Sequence, residues 1–443
     1  MVLLTYVQIL PSGEQSASSL ALAPFRGLRY SHDRVSGLAE VTSPPYDVIA
    51  HDTADHLLAS DPHNVVRLIL PRHDAGNPGD AYTDAAGLLA KWQDAGILVP
   101  DPQPALYVYE QQLPSGRVLQ RGLIGALQLV PLDAGPVLPH EDVIPGPVAG
   151  RCQLMEATAA NLEPIFLLYD GASAAGGATA LVQEVAGSRV PLLSVVTDDG
   201  FRHRLWAVTD PAEHQLIAAD LAHRQAMIAD GHHRYAAYLQ LQAHRRAAGA
   251  GAGPWDAGLA LLVDSETFPP RIGAIHRAIA GLPVTEAVTR AKGAFTVEAL
   301  AESAGRDLTS LVREASSDTV AFVVAGGGEC YLLTDPDPDA VAAAMPERSP
   351  RWRCLPASIM QELLLRRLWG VSDTEEAVQI HHDAEEALRA VAPPSSGTAV
   401  ICPPMSSADV REVAAHGERV PRKSTSFAPK PRTGLVMRAF ALG

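Results

Sequence analysis

The chain has 443 residues, 47% of them apolar, and a net charge of −15. That length and apolar content support two or three domains, or one large interwoven α/β unit. The acidic balance disfavours general affinity for nucleic acid or an anionic membrane, which requires a basic face.

Residues 1–25 are weakly patterned and include the Ser/Ala-rich piece SGEQSASSLA. The first basic residue is Arg26, and Pro11, Gly13 and Glu14 interrupt the apolar start, so no secretory signal is expected. AEVTSPPYDVI predicts strand, turn and helix, because Pro44 and Pro45 fix φ and stop a helix. NVVRLILP (64–71) reads as a buried strand, and DAYTDAAGLLAKWQDAGIL (80–98) as a helix ending near Gly96. ALYVYEQQL and LQRGLIGALQLVPL read as paired strands.

In residues 137–170 the pattern gives a loop, a helix from about Ala149, and a strand at Pro164–Tyr169. GASAAGGATA is low in complexity and leads into a helix at LVQEVAG. VPLLSVV and HRLWAVTD form a hairpin pattern around a DDG turn. Then follow a helix at PAEHQLIAADLAHR, a short strand at QAMIAD, a long helix at HHRYAAYLQLQAHRRAA, and a break at AGAGAGP. GLALLVDSE and RIGAIHRAI are strand-like, and helices and strands alternate to the end. The alternation predicts a mixed α/β (α/β or α+β) protein. No apolar run reaches the ~20 residues of a membrane span. The cysteines Cys152, Cys330, Cys354 and Cys402 are widely spaced with no C-x-x-C, as expected of a reduced cytoplasmic protein.

The densest chemistry lies at Asp230-Gly231-His232-His233-Arg234, directly before the long helix. A helix N-terminus leaves backbone N–H groups unpaired and carries partial positive charge. Asp230 is placed to cap, Gly231 to admit an anion to the backbone, and His232, His233 and Arg234 to donate to phosphate. Spacing alone leaves a second reading open, in which these side chains merely cover a solvated helix end.

GHHRYAAYLQLQ resembles the signature of the ParB/sulfiredoxin superfamily. Its sulfiredoxins carry Gly-Cys-His-Arg-Tyr before a similar helix, and its nucleotidases and free-serine kinases carry Gly-x-x-Arg or Asp-Gly-His-His-Arg. The resemblance implies nucleotide phosphates held at the helix N-terminus. His232 stands at the sulfiredoxin cysteine position, so sulfinic-acid reduction, which needs that thiol, is not expected. The order LPHE (138–141), helix near Arg151–Ala160, EPIFLLY (163–169), DGHHR is similar to the serine-kinase branch. That likeness implies Glu141 as general base toward a substrate hydroxyl, with His140 assisting or holding the nucleotide, and His232 is a further catalytic candidate. More than sixty residues separate Pro164 from Gly231, which implies an insertion at about 171–222. From about Pro24 to Phe440 the chain resembles the DUF1015 family, through SPPYDVI, HNVVRLILP, LPHE, ADGHHRYAAY and RKSTSFAPKPRTGLV.

Tyr46 and Asp47 stand on the Pro-Pro turn, where Asp47 can bind Mg²⁺, orient a substrate amine, or cap the next helix. Asn64 and Arg67 are substrate-binding candidates; a charge at Arg67 in an apolar strand needs a partner, either Asp47 or a substrate carboxylate. Only four lysines occur, and two of them, Lys423 and Lys430, fall in RKSTSFAPKPRTGLV. There Arg422, Lys423, Ser424 and Thr425 make a loop suited to a nucleotide phosphate, although it lacks the P-loop frame. HHDAEEAL reads as a charged helix start, and no H-E-x-x-H or Cys/His zinc pattern is present.

These readings give three regions: an N-terminal α/β region 1–130, a ParB/sulfiredoxin-like phosphate-binding core 131–250, and a C-terminal α/β region 251–443 with the basic loop 422–432. The function they imply is a nucleotide-dependent phosphotransferase acting on a small hydroxyl-bearing metabolite, free L-serine or a similar amino acid, with ATP, ADP or CTP and Mg²⁺. The rival is a ParB-like nucleotide-binding or hydrolysing switch with a DNA association, against which the acidic charge argues.

Overall fold

The hairpin read at 106–128 is the middle of the larger sheet in a computed structural model of the chain, which describes residues 19–72, 78–132, 135–171, 176–300, 307–372, 374, 376–392 and 397–443. The chain divides into two units. One holds the described residues up to Leu138, Ile144–Phe268 and Pro431–Gly443; the other holds Pro139–Val143 and Pro269–Lys430.

The larger sheet of the first unit takes the strands β1 (Leu22–Ala23), β2 (Leu106–Gln112), β3 (Val118–Gln128), β4 (Val137–Leu138), β5 (Ile165–Tyr169), β6 (Leu193–Val196), β7 (Arg202–Val208), β8 (Ala226–Asp230) and β9 (Ala257–Asp264). They form one nine-stranded mixed sheet in the order β4-β8-β5-β9-β3-β2-β7-β6, with β1 on β3. β9 runs parallel to β5 and antiparallel to β3, so it joins the segments on either side of it. β4 and β8 are parallel neighbours, so the chain leaves both at the same edge of the sheet. β5, β8 and most of β9 are buried on both faces, which is why they read as continuous apolar runs.

Around the sheet lie α1 (His51–Ser60), α2 (Val66–Ile69), α3 (Pro78–Asp94), α4 (Pro145–Thr158), α5 (Gly177–Ser188), α6 (Pro211–Leu221) and α7 (His232–Ala247). Trp206, Tyr235, Leu241, Ile165 and Leu262 belong to one buried cluster. The hairpin around DDG forms as β6 and β7, turning at Gly200 with φ 79°. α3 ends in the glycine motif expected: Gly96 has φ 66°, Ile97 N bonds Trp92 O at 2.9 Å, and Gly96 N bonds Gln93 O at 3.0 Å.

The second unit is built on a six-stranded sheet whose strands are β10 (His276–Ala280), β11 (Thr296–Ala299), β12 (Phe322–Gly326), β13 (Glu329–Thr334), β14 (Val378–His381) and β15 (Gly397–Ile401). Their order is β11-β13-β12-β15-β10-β14. The charged HHDAEEAL segment starts a helix at Ala384, capped by the Asp383 side chain. Among the described residues no helix is long and apolar enough to cross a membrane.

Several local expectations are corrected. NVVRLILP is not a strand: Val66–Ile69 is a helical turn, because the Asn64 side chain accepts from Val66 N at 2.9 Å and diverts the run. A short apolar run fits a buried helix as well as a strand. Upstream of Pro44 the chain forms a helical turn, Leu38–Val41, rather than a strand. The helix expected from Ala149 starts at Pro145, where a proline in the first turn loses no hydrogen bond. The larger sheet draws strands from both sides of 130/131 and 250/251, with β9 between β5 and β3. Residues 12–18 of the Ser/Ala-rich piece, and 172–175 of GASAAGGATA, lie outside the described residues.

His203, buried on β7, sits with Nδ1 2.9 Å from the Tyr109 hydroxyl and Nε2 3.2 Å from the Thr197 hydroxyl. Burial, with the Arg432 charge adding, pushes this imidazole down to about 4 from 6.5. An unfolded chain therefore binds a proton that the folded chain refuses, so stability falls as pH drops from 6.5 toward 4. Denaturant midpoints across that window should decline for wild type and decline less for His203→Gln, which keeps polar atoms but does not titrate. Equal slopes would remove His203 from the cause.

Candidate functional site

β8 does not run straight into α7. Its register against β5 shifts between Ile228 and Asp230, a bulge that re-aims the strand end. Gly231 follows with φ 96°, and α7 starts at His232. A Cβ on Gly231 would lie 2.9 Å from Ile165 Cγ2 and 3.2 Å from Arg234 Nε, so both the conformation and the space call for glycine. Gly231, not Asp230, occupies the N-cap position of α7. The first-turn N–H groups of a sixteen-residue helix therefore head a positive dipole end.

Arg234 is almost wholly buried, and its fork is committed within the fold. Nη2 bonds Asp230 Oδ2 at 2.5 Å and Nη1 bonds Pro164 O at 2.6 Å. Asp47 Oδ2 is 3.9 Å away. Burial alone would make the guanidinium easier to deprotonate, but Asp230, Glu163 and Asp47 outweigh it and hold the charge more firmly than usual. A buried cation must be paired, and Asp230 and Pro164 O meet this one.

Around Arg234 lies a charged cluster that the sequence reading missed in part. The Tyr46 ring lies between two guanidiniums, with Arg151 Cζ 4.3 Å and Arg234 Cζ 5.7 Å from its centroid. Glu163, fully inside, accepts from Tyr46 N at 2.9 Å and lies 4.0 Å from Arg151 Nη1. Burial raises the Glu163 carboxyl, against the pull of Arg234 and Arg151. Arg151 also bonds Ile69 O at 2.6 Å. Glu163 and Arg151 carried a weak signal: each is a lone charge in an apolar stretch.

Other candidates fall elsewhere. His232 is buried, and His233 Nε2 accepts from Ile144 N at 3.0 Å. Asn64 spends its amide on Glu40 O at 2.7 Å and its oxygen on Val66 N. Arg67 bonds Leu58 O, not Asp47. In the second unit His140 and the basic loop come together: His140 Nε2 is 2.8 Å from Thr425 Oγ1, and Val420 N bonds His140 O at 2.8 Å. Glu141 belongs to the same short segment. Lys423 has φ 52°, Ser424 Oγ bonds Pro421 O at 2.6 Å, and the buried Arg277 bonds Lys423 O at 2.8 Å and Arg422 O at 3.5 Å, so Arg277 holds the loop by its backbone carbonyls.

The turn yields a test. Gly249 also has positive φ but open space at its Cβ. Both Gly231→Ala and Gly249→Ala should cost about 1–2 kcal/mol for the left-handed conformation. Gly231→Ala should cost more, from the clash with Ile165, as read by thermal unfolding; equal losses would mean the strand yields and the turn is not constrained.

Comparison with solved structures finds distant likenesses. A free serine kinase variant in complex with ADP matches at 13% identity, over 69% of this chain and 87% of that one, with a TM-score of 0.34. SbnI with a C-terminal truncation, from Staphylococcus aureus, matches at 11% identity over 71% and 86%, with a TM-score of 0.35. A conserved hypothetical protein from Pyrococcus furiosus matches at 12% identity over 73% and 97%, with a TM-score of 0.34. No curated protein matches. The family model described as "Protein of unknown function (DUF1015)" matches residues 22–358, about three quarters of the chain. The chain belongs to the DUF1015 family.

Proposed function

We propose that the chain is a nucleotide-dependent phosphotransferase with a ParB/sulfiredoxin-like phosphate-binding core, acting on a small hydroxyl-bearing metabolite such as free L-serine. The observation that carries this reading is the bulge and the left-handed Gly231, which set the positive dipole end of a sixteen-residue helix directly after the strand end. His232 and His233 add ring donors at the same turn. Arg234 acts as a positioning residue: its ties to Asp230 and Pro164 O hold the first turn of α7 against β5. Asp47, next to Arg234, and Tyr46 are the side chains assigned to substrate or Mg²⁺.

Because the order of LPHE, EPIF and DGHHR resembles that of the serine-kinase branch, Glu141 is assigned as base. The acceptor O–H gives its proton to Glu141, its oxygen forms a bond to the terminal phosphorus of ATP, ADP or CTP, and the P–O bond to the shortened nucleotide breaks. Such transfer depends mainly on positioning and charge neutralisation. A Mg²⁺ ion brought with the nucleotide would supply part of that neutralisation.

Transfer from each nucleotide with Mg²⁺ to a hydroxyl-metabolite panel including L-serine tests the reading. Wild type should yield a phosphorylated product. Glu141→Gln should slow it by about 10²–10⁴-fold while still binding nucleotide, and His232→Ala should weaken nucleotide binding itself. Nucleotide bound or hydrolysed with no acceptor phosphorylated would favour the switch reading, and no nucleotide binding would end both.

A further inference from the structure

α4 and α7 pack together, and their contact assembles three metal-binding donors well away from the Gly231 turn. Cys152 and Glu156 stand four residues apart on α4, one turn apart on one face. His244 lies in the last turn of α7. Cys152 Sγ is 3.9 Å from His244 Nδ1, and Glu156 Oε1 is 3.2 Å from that same nitrogen. One donor atom from each residue lies within 4.8 Å of the other two.

We propose that Cys152, Glu156 and His244 form a Zn²⁺ site, with water as the fourth ligand. Tetrahedral zinc, at ~2.3 Å from sulfur and ~2.0–2.1 Å from nitrogen or oxygen, sets its ligand atoms about 3.3–3.6 Å apart. The observed separations approach those edges, so small side-chain rotations suffice. Thiolate and imidazole select zinc over magnesium or calcium, and the thiolate with the carboxylate balances its charge. Zinc replaces the Cys152 thiol proton, which leaves to solvent. Cys152 is buried, whereas the Glu156 and His244 side chains are 35% and 50% exposed, which leaves a path for the ion. The sequence shows no zinc pattern because Glu156 and His244 are 88 residues apart. His244 follows His232 by twelve residues, about 18 Å along the helix, so the ion would pin α4 to α7 rather than serve the Gly231 turn.

The test uses the full chain, stripped with chelator and titrated with Co²⁺ and then Zn²⁺. Wild type should develop a thiolate-to-cobalt charge-transfer band that one equivalent of Zn²⁺ abolishes. Cys152→Ser should lack the band, with Cys330, Cys354 and Cys402 still present to report any other thiol site. His244→Ala, a half-exposed change that spares the core, should bind more weakly by more than the about 10–100-fold typical of losing a second-shell partner. Absence of the band in wild type, or unchanged affinity in His244→Ala, would overturn the site and leave a buried cysteine beside a surface ion pair. If Cys152→Ser fails to fold, His244→Ala alone decides.

Discussion

The buried charge of Arg234 is the constraint on which the candidate site depends. A guanidinium taken out of water must be met by anions and carbonyls, or its desolvation would unfold the segment that carries it. Here Asp230, Pro164 O and Asp47 meet it, and the buried Glu163 carboxylate adds its negative charge. Those partners come from the end of β8, the start of β5 and the turn after Pro45. Satisfying one cation therefore aligns three chain segments and sets the direction in which α7 leaves the sheet.

The same economy governs the larger sheet. β9 lies between β5 and β3, and Arg438 in the C-terminal tail bonds Asn161 Oδ1 and Ala257 O, both at 3.1 Å. The tail also pairs Thr433 with Ser43 and Met437 with Leu28. Segments from both termini thus complete the first unit. Pro269–Lys430, joined by Pro139–Val143, forms a second unit with its own sheet and its own buried cluster around Val323, Ala399 and Ile401. Within that unit the basic loop owes its shape to Arg277, another buried cation, whose donors go to backbone carbonyls.

Much of this was legible from residue order. The paired strands 106–128, the DDG hairpin, the helix after DGHHR and the Gly96 stop all follow from periodicity and turn chemistry, because each depends on near neighbours. NVVRLILP folds as a turn of helix rather than a strand because the Asn64 side chain accepts from Val66 N two residues on, an Asx turn that apolar content does not record. For Arg67 the sequence left Asp47 and a substrate carboxylate both open, since it shows a charge but not its partner; in the fold Arg67 bonds Leu58 O, and Arg234 bonds Asp230 and Pro164 O. Glu163 and Arg151 escaped notice because they lie far from Tyr46 in the chain and meet it only in the folded state.

The sequence by itself determined the mixed α/β class, the family and the Gly-His-His turn at a helix start, because local propensity and contiguous motifs are properties of neighbouring residues. Only the tertiary structure decided that β9 lies between β5 and β3, that Arg234 is paired inside the fold, and that Cys152, Glu156 and His244 converge. Those facts depend on contacts between residues dozens to hundreds of positions apart, and such contacts are set by which surfaces bury against one another rather than by any local pattern.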